Sequence, residues 1–358
     1  MRVVIPAAGK SSRYNSEKPK YLLTHPSGLL MIEIVLLSII KRVTDCQFSI
    51  VILHEHDLKF DASEVLRQIA LSNNISLDVI ILKNITSGPA ETIYKCLKQA
   101  SISGPFLIKD SDNVIDFDAA SINLDGCDGI LLGGDIAKHN IVDVHQKSFI
   151  ISDTNGRISN FVEKRVVSNI VCFGLYGFSS AQFFISYFEK VFAMKYSGEI
   201  FVSQVVQAAL IDDKSFFYRE ALSLNDWGIW NLWMVERRRL RTFFIDFDGV
   251  LVKNTGRYGN PNWDSEFLPI KKNMLMIKKL YESGAQIILT TSRPSHYEKR
   301  ISSLFQTYGI IIFSYVFGLN HSERVILNDY SDSNPFPSAS ALNIIRNGDL
   351  TTFSDTLN

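Results

Sequence analysis

Residues 3–23, VVIPAAGKSSRYNSEKPKYLL, constrain the fold of this chain more than any other stretch. The apolar run Val3-Val4-Ile5 stops at Pro6 and passes into Ala7-Ala8-Gly9-Lys10-Ser11-Ser12-Arg13, which reads as a buried strand feeding a loop of small residues. Small side chains let backbone N–H groups approach a ligand, and Lys10, Arg13 and Lys20 place three cations around them. A polyphosphate is the anion that such an arrangement suits. An ordinary strand-to-helix connection with solvated charges is the alternative, and the loop alone does not decide between the two.

The order of elements after this loop carries more weight. Residues 29–42 are apolar on most sides and read as a well-buried helix, 49–53 as a strand, 61–70 as a helix and 77–82 as a strand. That alternation predicts a largely parallel sheet with helices on both faces. Ser87-Gly88-Pro89-Ala90-Glu91-Thr92 then has the form of a turn opening a helix. The next strand, 105–108, runs into Asp110 and Asp112. Two carboxylates one residue apart at the end of a buried strand are costly unless something positive lies beside them. A divalent ion bridging to phosphate is the usual solution, because magnesium prefers one or two carboxylates plus substrate oxygens. An Asx turn capping the strand is the plainer one.

At 358 residues the chain is long for one domain. Lysine plus arginine equals aspartate plus glutamate at 37 each, so no net field recruits nucleic acid or an anionic membrane, and small-molecule chemistry is expected. Cys46, Cys96, Cys127 and Cys172 are scattered without metal-ligand spacing, a usage that suits a reducing cytoplasm. No signal segment is read at the N-terminus, and the apolar run 29–40 is interrupted by Glu33 and too short for a bilayer. A cytoplasmic enzyme is the expectation, and a homo-oligomer is compatible with it.

Residues 231–241 are helical in composition and end in a charge run that reads as a solvated helix end or linker. The boundary is expected there, giving domains 1–238 and 239–358. The pattern then restarts: 242–245 is a strand ending in Asp246-Phe247-Asp248-Gly249, 270–284 a helix, 286–289 a strand ending in Thr290-Thr291, and 324–327 a third strand leading to Asn328-Asp329. Three apolar strands thus deliver two carboxylates, a hydroxyl and a further carboxylate.

The first segment resembles the sugar-phosphate nucleotidyltransferases, whose signature runs from an apolar strand through Ala-Ala-Gly, a small residue and Arg to Pro-Lys, here Pro19-Lys20. Those enzymes usually carry a second glycine where this chain has Ser11. The resemblance implies a mixed, mostly parallel α/β sheet of Rossmann-like, GT-A-like type. It also implies a nucleoside triphosphate bound over Ala7, Ala8, Gly9, Lys10 and Ser11, and nucleotidyl transfer to a phosphorylated acceptor with release of pyrophosphate. On the same basis Gly88 and Thr92 contact base and ribose, and Lys164 holds the acceptor's phosphate ahead of Gly174-Leu175-Tyr176-Gly177-Phe178. Glu199 accepts hydrogen bonds from hydroxyls, and Lys20, Arg13 and Lys164 neutralise charge. Asp226, in a segment similar to the family's Trp-x-Asp-x-Gly-Thr, joins Asp112 on magnesium, with Asp110 as ligand or support. Ile229 in place of the threonine, and Trp227 after the aspartate, depart from that pattern.

Residues 243–350 resemble the haloacid dehalogenase superfamily. This implies a three-layer Rossmannoid α/β domain with a minimal cap, Asp246 as nucleophile and Asp248 as acid and base. Thr291 is then on the phosphoryl oxygens, and a second magnesium sits on Asp246, Asp248 and Asp329. The superfamily's lysine before the last acidic motif is missing, and Arg324 is the nearby cation that would replace it. Together the two resemblances imply a bifunctional enzyme of activated-sugar or capsule-type polysaccharide biosynthesis. It would use one Mg2+ per domain, take a nucleoside triphosphate and a sugar phosphate, and engage neither nucleic acid nor membrane. Two rivals stand beside it: a cytidylyltransferase for an alcohol phosphate or acidic sugar, and a second domain that only binds or oligomerises.

Overall fold

The computed structural model describes residues 1–12, 14, 16–195, 198–254, 263–329 and 338–357. Contacts divide it into two units, Met1–Trp230 and Asn231–Asn358.

The strands of the first unit are β1 (Arg2–Pro6), β2 (Gln47–Leu53), β3 (Ser76–Leu82), β4 (Phe106–Lys109), β5 (Asn113–Asp116), β6 (Gly129–Asp135), β7 (Ser148–Ser152), β8 (Ile158–Glu163), β9 (Ile170–Phe178), β10 (Phe216–Glu220) and β11 (Ser223–Asp226). The main sheet has the order β10-β6-β9-β4-β1-β2-β3, with β7 and β8 attached to β9. From β3 to β4 every pairing is parallel, as the strand–helix alternation requires. β9 runs opposite to both β4 and β6, which makes the sheet mixed. β1 is buried on both faces: Val4 packs with the helices Pro89–Gln99, Ala181–Ala193 and Val202–Ile211, while Val3 and Ile5 pack with Met31–Ile40 and Ala62–Ser72. This two-sided burial explains why the strand reads as continuous apolar residues. Cys96 and Cys172 fill core. β5 and β11 form a separate antiparallel pair, with Asp226 opposite Asn113.

The second unit contains β12 (Thr242–Asp246), β13 (Gln286–Thr290) and β14 (Ser314–Val316) in one parallel sheet, with the helices Lys271–Glu282 and Glu298–Thr307. Ile245, Leu289, Met274, Ile277, Ile301 and Phe305 form its core. The helix Trp230–Arg239 lies almost wholly in this unit, because Arg239 donates to the Ser283 carbonyl at 2.8 Å. The contacts thus divide the chain after the helix's first residue, Trp230.

The strand expected over 324–327 does not form. Ser314–Val316, which lies beyond the helix after β13, takes the third place in the sheet, leaving Val325 and Leu327 72% and 91% exposed. An apolar run becomes a strand only where an edge is there to pair with it. Among the described residues, no helix is long and apolar enough to cross a membrane.

Candidate active site

β1 releases the chain at Pro6, and the Ala7 N–H still donates to the Val51 carbonyl, so the loop leaves along the sheet. Ala7 and Ala8 are buried, whereas Gly9 and Lys10 face solvent. Ser11 stands at φ +52°, the left-handed region that glycine takes most easily, and its hydroxyl accepts the Lys20 N–H at 3.1 Å. The serine that departs from the resembled signature thus keeps the backbone shape and closes the loop onto Lys20. Arg13 lies outside the described residues. The Tyr14 hydroxyl donates to the Trp227 carbonyl, tying the loop to the segment after β11.

Lys20 extends its ammonium to Asp112, and Lys147 extends its own to Asp226. The two carboxylates are neighbours because β5 begins one residue after Asp112 and pairs with β11, which ends at Asp226; the Trp227 N–H donates to the Asp112 carbonyl at 2.9 Å. Gly228 lies two residues beyond. A Cβ there would lie 3.1 Å from Asp226 Oδ1 and 3.3 Å from Asp112 Oδ2. With no side chain of its own, Gly228 approaches both carboxylates closely, and its N–H donates to Asp226 at 2.9 Å.

Asp110 is placed differently. One of its carboxylate oxygens would stand 2.1 Å from a Cβ on Gly174, so it fills the space left by that glycine and supports the strand end. Among the described residues, no three acidic, histidine or cysteine side chains gather as a metal cluster. Asp110 thus stands in the supporting place that was its alternative, behind the candidate pair Asp112 and Asp226. Below it lies Lys109, fully buried, donating to the carbonyls of Asp110 and Asn113 at 2.9 Å each and to the Asn113 side chain at 2.5 Å. Burial depresses the Lys109 ammonium against the pull of Asp110. Burial and the Asp112 carboxylate push Asp110 up. For Asp112 burial acts upward too, but Lys20, helped by Lys109 and Lys147, outweighs it and holds the carboxyl down at about 2.

On the acceptor side, Glu163 does not pair with its neighbour. It accepts the hydroxyls of Ser148 and Ser203, each at 2.6 Å, while Lys164 lies 4.2 Å from the centre of the Phe201 ring and 4.0 Å from Glu199. Lys164 and Glu199, predicted separately, thus meet. The Lys164 N–H donates to the Lys147 carbonyl at 3.0 Å, which brings the bases of the two lysines together. Gly88 caps the helix Pro89–Gln99 at φ +150°, with Ile200 so close that a Cβ would come 2.5 Å from its carbonyl oxygen. Thr92 is buried, its hydroxyl bonded to Thr86 at 2.7 Å and to the Gly88 carbonyl at 3.2 Å. Both residues build the helix start.

In the second unit Asp246 and Asp248 line a cavity of about 330 Å³ with Ser292, Arg293, His321, Arg324 and Arg346. Arg324 approaches Asp246 at 3.3 Å. Burial raises the Asp246 carboxyl, and Arg324 offsets part of that rise. Both oxygens of Asp248 are taken by Arg293, at 2.7 and 2.8 Å; that arginine is nearly buried and is flanked by Phe247, Phe267 and Tyr297. Thr291 is buried beneath the cavity, its hydroxyl accepting the Arg293 N–H at 3.1 Å, and Ser292 lines the wall. Asp329 lies in the exposed segment left by the missing strand and is not among the residues around the cavity; its carbonyl accepts the Ser338 hydroxyl at 2.5 Å. Among the described residues, Asp246, Asp248 and Asp329 form no cluster that could hold a metal ion.

Lys147, Lys109, Gly228 and Arg293 have no place in the reading of the sequence. Lys109 ends an apolar strand, a signal that could have found it; the others have no local pattern to mark them.

No family model and no curated protein matches the chain. Solved structures do. The nucleoside-diphosphate-sugar pyrophosphorylase of Vibrio cholerae RC9 is 19% identical, with 66% of this chain and 99% of that one covered at a TM-score of 0.57. The inositol-1-phosphate CTP transferase of T. maritima is 15% identical over 66% and 94%, TM-score 0.51. A UDP-glucose pyrophosphorylase complexed with UDP-glucose is 16% identical over 66% and 96%, TM-score 0.52. The mixed, mostly parallel sheet of the first unit accordingly has the fold of these nucleotidyltransferase structures.

Proposed function

We propose that the first unit transfers a nucleotidyl group from a nucleoside triphosphate to a sugar phosphate and releases pyrophosphate. The observation that carries this reading is the pair Asp112 and Asp226 beside Gly228, with Lys20 reaching it from the loop after β1. Two carboxylates with hard oxygen donors suit Mg2+, which would be held by Asp112 and Asp226 and would supply charge neutralisation and orientation of the phosphates.

The chain's own part is positional. The backbone from Ala8 to Ser11 and Lys10 face the triphosphate, Lys20 neutralises it, and Lys164 holds the acceptor's phosphate. An oxygen of that phosphate attacks the α-phosphorus in line, and the bond to pyrophosphate breaks as the new one forms. No side-chain nucleophile is needed. The T. maritima neighbour is a CTP transferase acting on inositol 1-phosphate, which keeps a cytidylyltransferase for an alcohol phosphate as the rival reading.

For the second unit we propose phosphomonoester chemistry at Asp246, supported by its pairing with Arg324 in the cavity. No metal is assigned there. Hydrolysis requires Asp248 to exchange Arg293 for the leaving oxygen of the substrate, which simple binding does not require. Release of phosphate from p-nitrophenyl phosphate, lost in Asp246→Asn, would establish hydrolysis. Neighbouring steps of a capsule-type pathway would account for the two activities in one chain. Pyrophosphate release across the nucleoside triphosphates and a panel of phosphorylated acceptors should be abolished by Asp112→Ala and spared by Asp246→Asn. The opposite pattern overturns the division of labour.

A further inference from the structure

Three ammonium groups, Lys20, Lys109 and Lys147, act on the carboxylates of Asp110 and Asp112, and Asp226 lies among them. Among these six groups the formal charges balance, three ammonium groups against three carboxylates. Lys147 has the particular position: it occupies one oxygen of Asp226, the other accepts the Gly228 N–H at 2.9 Å, and the pair is only 16% and 13% exposed. A dication entering this arrangement alone must displace an ammonium and leave a nearly dry pocket with excess positive charge, which low dielectric makes costly. A dication that arrives with a polyanion carries its own compensation.

We infer that Lys147 is an internal counter-cation that keeps Asp226 closed to divalent metal in the free protein, so that metal enters only together with the triphosphate. It is a positioning residue. The backbone of Lys147 stays tied to that of Lys164, whose N–H the Lys147 carbonyl accepts at 3.0 Å. The inference rests on the metal-binding part of the proposed nucleotidyl transfer and not on the identity of base or acceptor.

The test is titration of the full-length free protein with Mn2+, monitored by electron paramagnetic resonance, without nucleotide. Lys147→Met and Lys147→Gln should each bind Mn2+ about tenfold or more tightly than the unaltered chain, the gain expected from removing one nearby positive charge. Lys147→Arg, which keeps the charge, should bind as weakly as the unaltered chain. The gain of Lys147→Met should vanish when Asp226→Asn is added. Equal affinity in Lys147→Met and the unaltered chain overturns the inference, as does a gain that survives Asp226→Asn. Pyrophosphate release is measured apart from this, so nucleotidyl transfer can fail while the Mn2+ result stands, and the reverse.

Discussion

Gly228→Ala perturbs the space beside the two carboxylates without altering the charges that surround it. The new methyl group would sit 3.1 Å from Asp226 Oδ1 and 3.3 Å from Asp112 Oδ2, a few tenths of an ångström inside ordinary contact. Gly228 is not among the glycines with positive φ, so alanine meets no backbone strain there. The tight contacts cost stability, the lost freedom of the unfolded chain returns ~0.4–1 kcal/mol, and the net effect should stay within about 1 kcal/mol. Catalysis is affected far more. Cation coordination tolerates displacements of only ~0.2 Å, and a misplacement of about 1 Å costs on the order of 100-fold in rate. The expected outcome is pyrophosphate release reduced about 100-fold, with a melting temperature within a few degrees of the unaltered chain. Both are read on one preparation, by a coupled pyrophosphate assay and a thermal scan. Activity within twofold of the starting protein at an unchanged melting temperature would refute the idea that a cation works between Asp112 and Asp226.

The same geometry predicts three more outcomes. Asp112 is held at about 2 against an ordinary 3.8, so its stabilising contribution, about 2 kcal/mol, is present above about pH 4 and lost as pH falls towards 2. The stability gap between the unaltered chain and Asp112→Asn should narrow over that interval in denaturant titrations, and a gap independent of pH would contradict the pairing with Lys20. Gly88→Ala forces a side chain onto the Ile200 carbonyl at φ +150° and should cost about 2 kcal/mol or more, measured by urea unfolding. Arg293→Met leaves Asp248 without its partner in a nearly closed setting and should destabilise the second unit by about 3–5 kcal/mol. A loss below about 1 kcal/mol would show that the pair is solvated.

What was legible in the sequence was local. Two-sided apolar runs marked β1, β2 and β12, the small-residue loop marked the turn after β1, and the carboxylates at the ends of β4 and β12 marked where charge collects. Even the serine in place of a glycine at position 11 was visible as a departure, though only its left-handed φ shows why serine suffices. Each of these depends on neighbours within a turn or a strand, where side-chain size and polarity dictate backbone shape. Tertiary structure decided the rest. The β5–β11 register puts Asp226 beside Asp112, and the placement of β7 brings Lys147 to Asp226. Ser314–Val316, and not the more apolar 324–327, takes the sheet's third place, and Asp329 is not among the residues lining the Asp246 cavity. Which charge meets which is set by pairing between segments far apart in the chain, and an ion pair has no periodicity along a sequence to announce it.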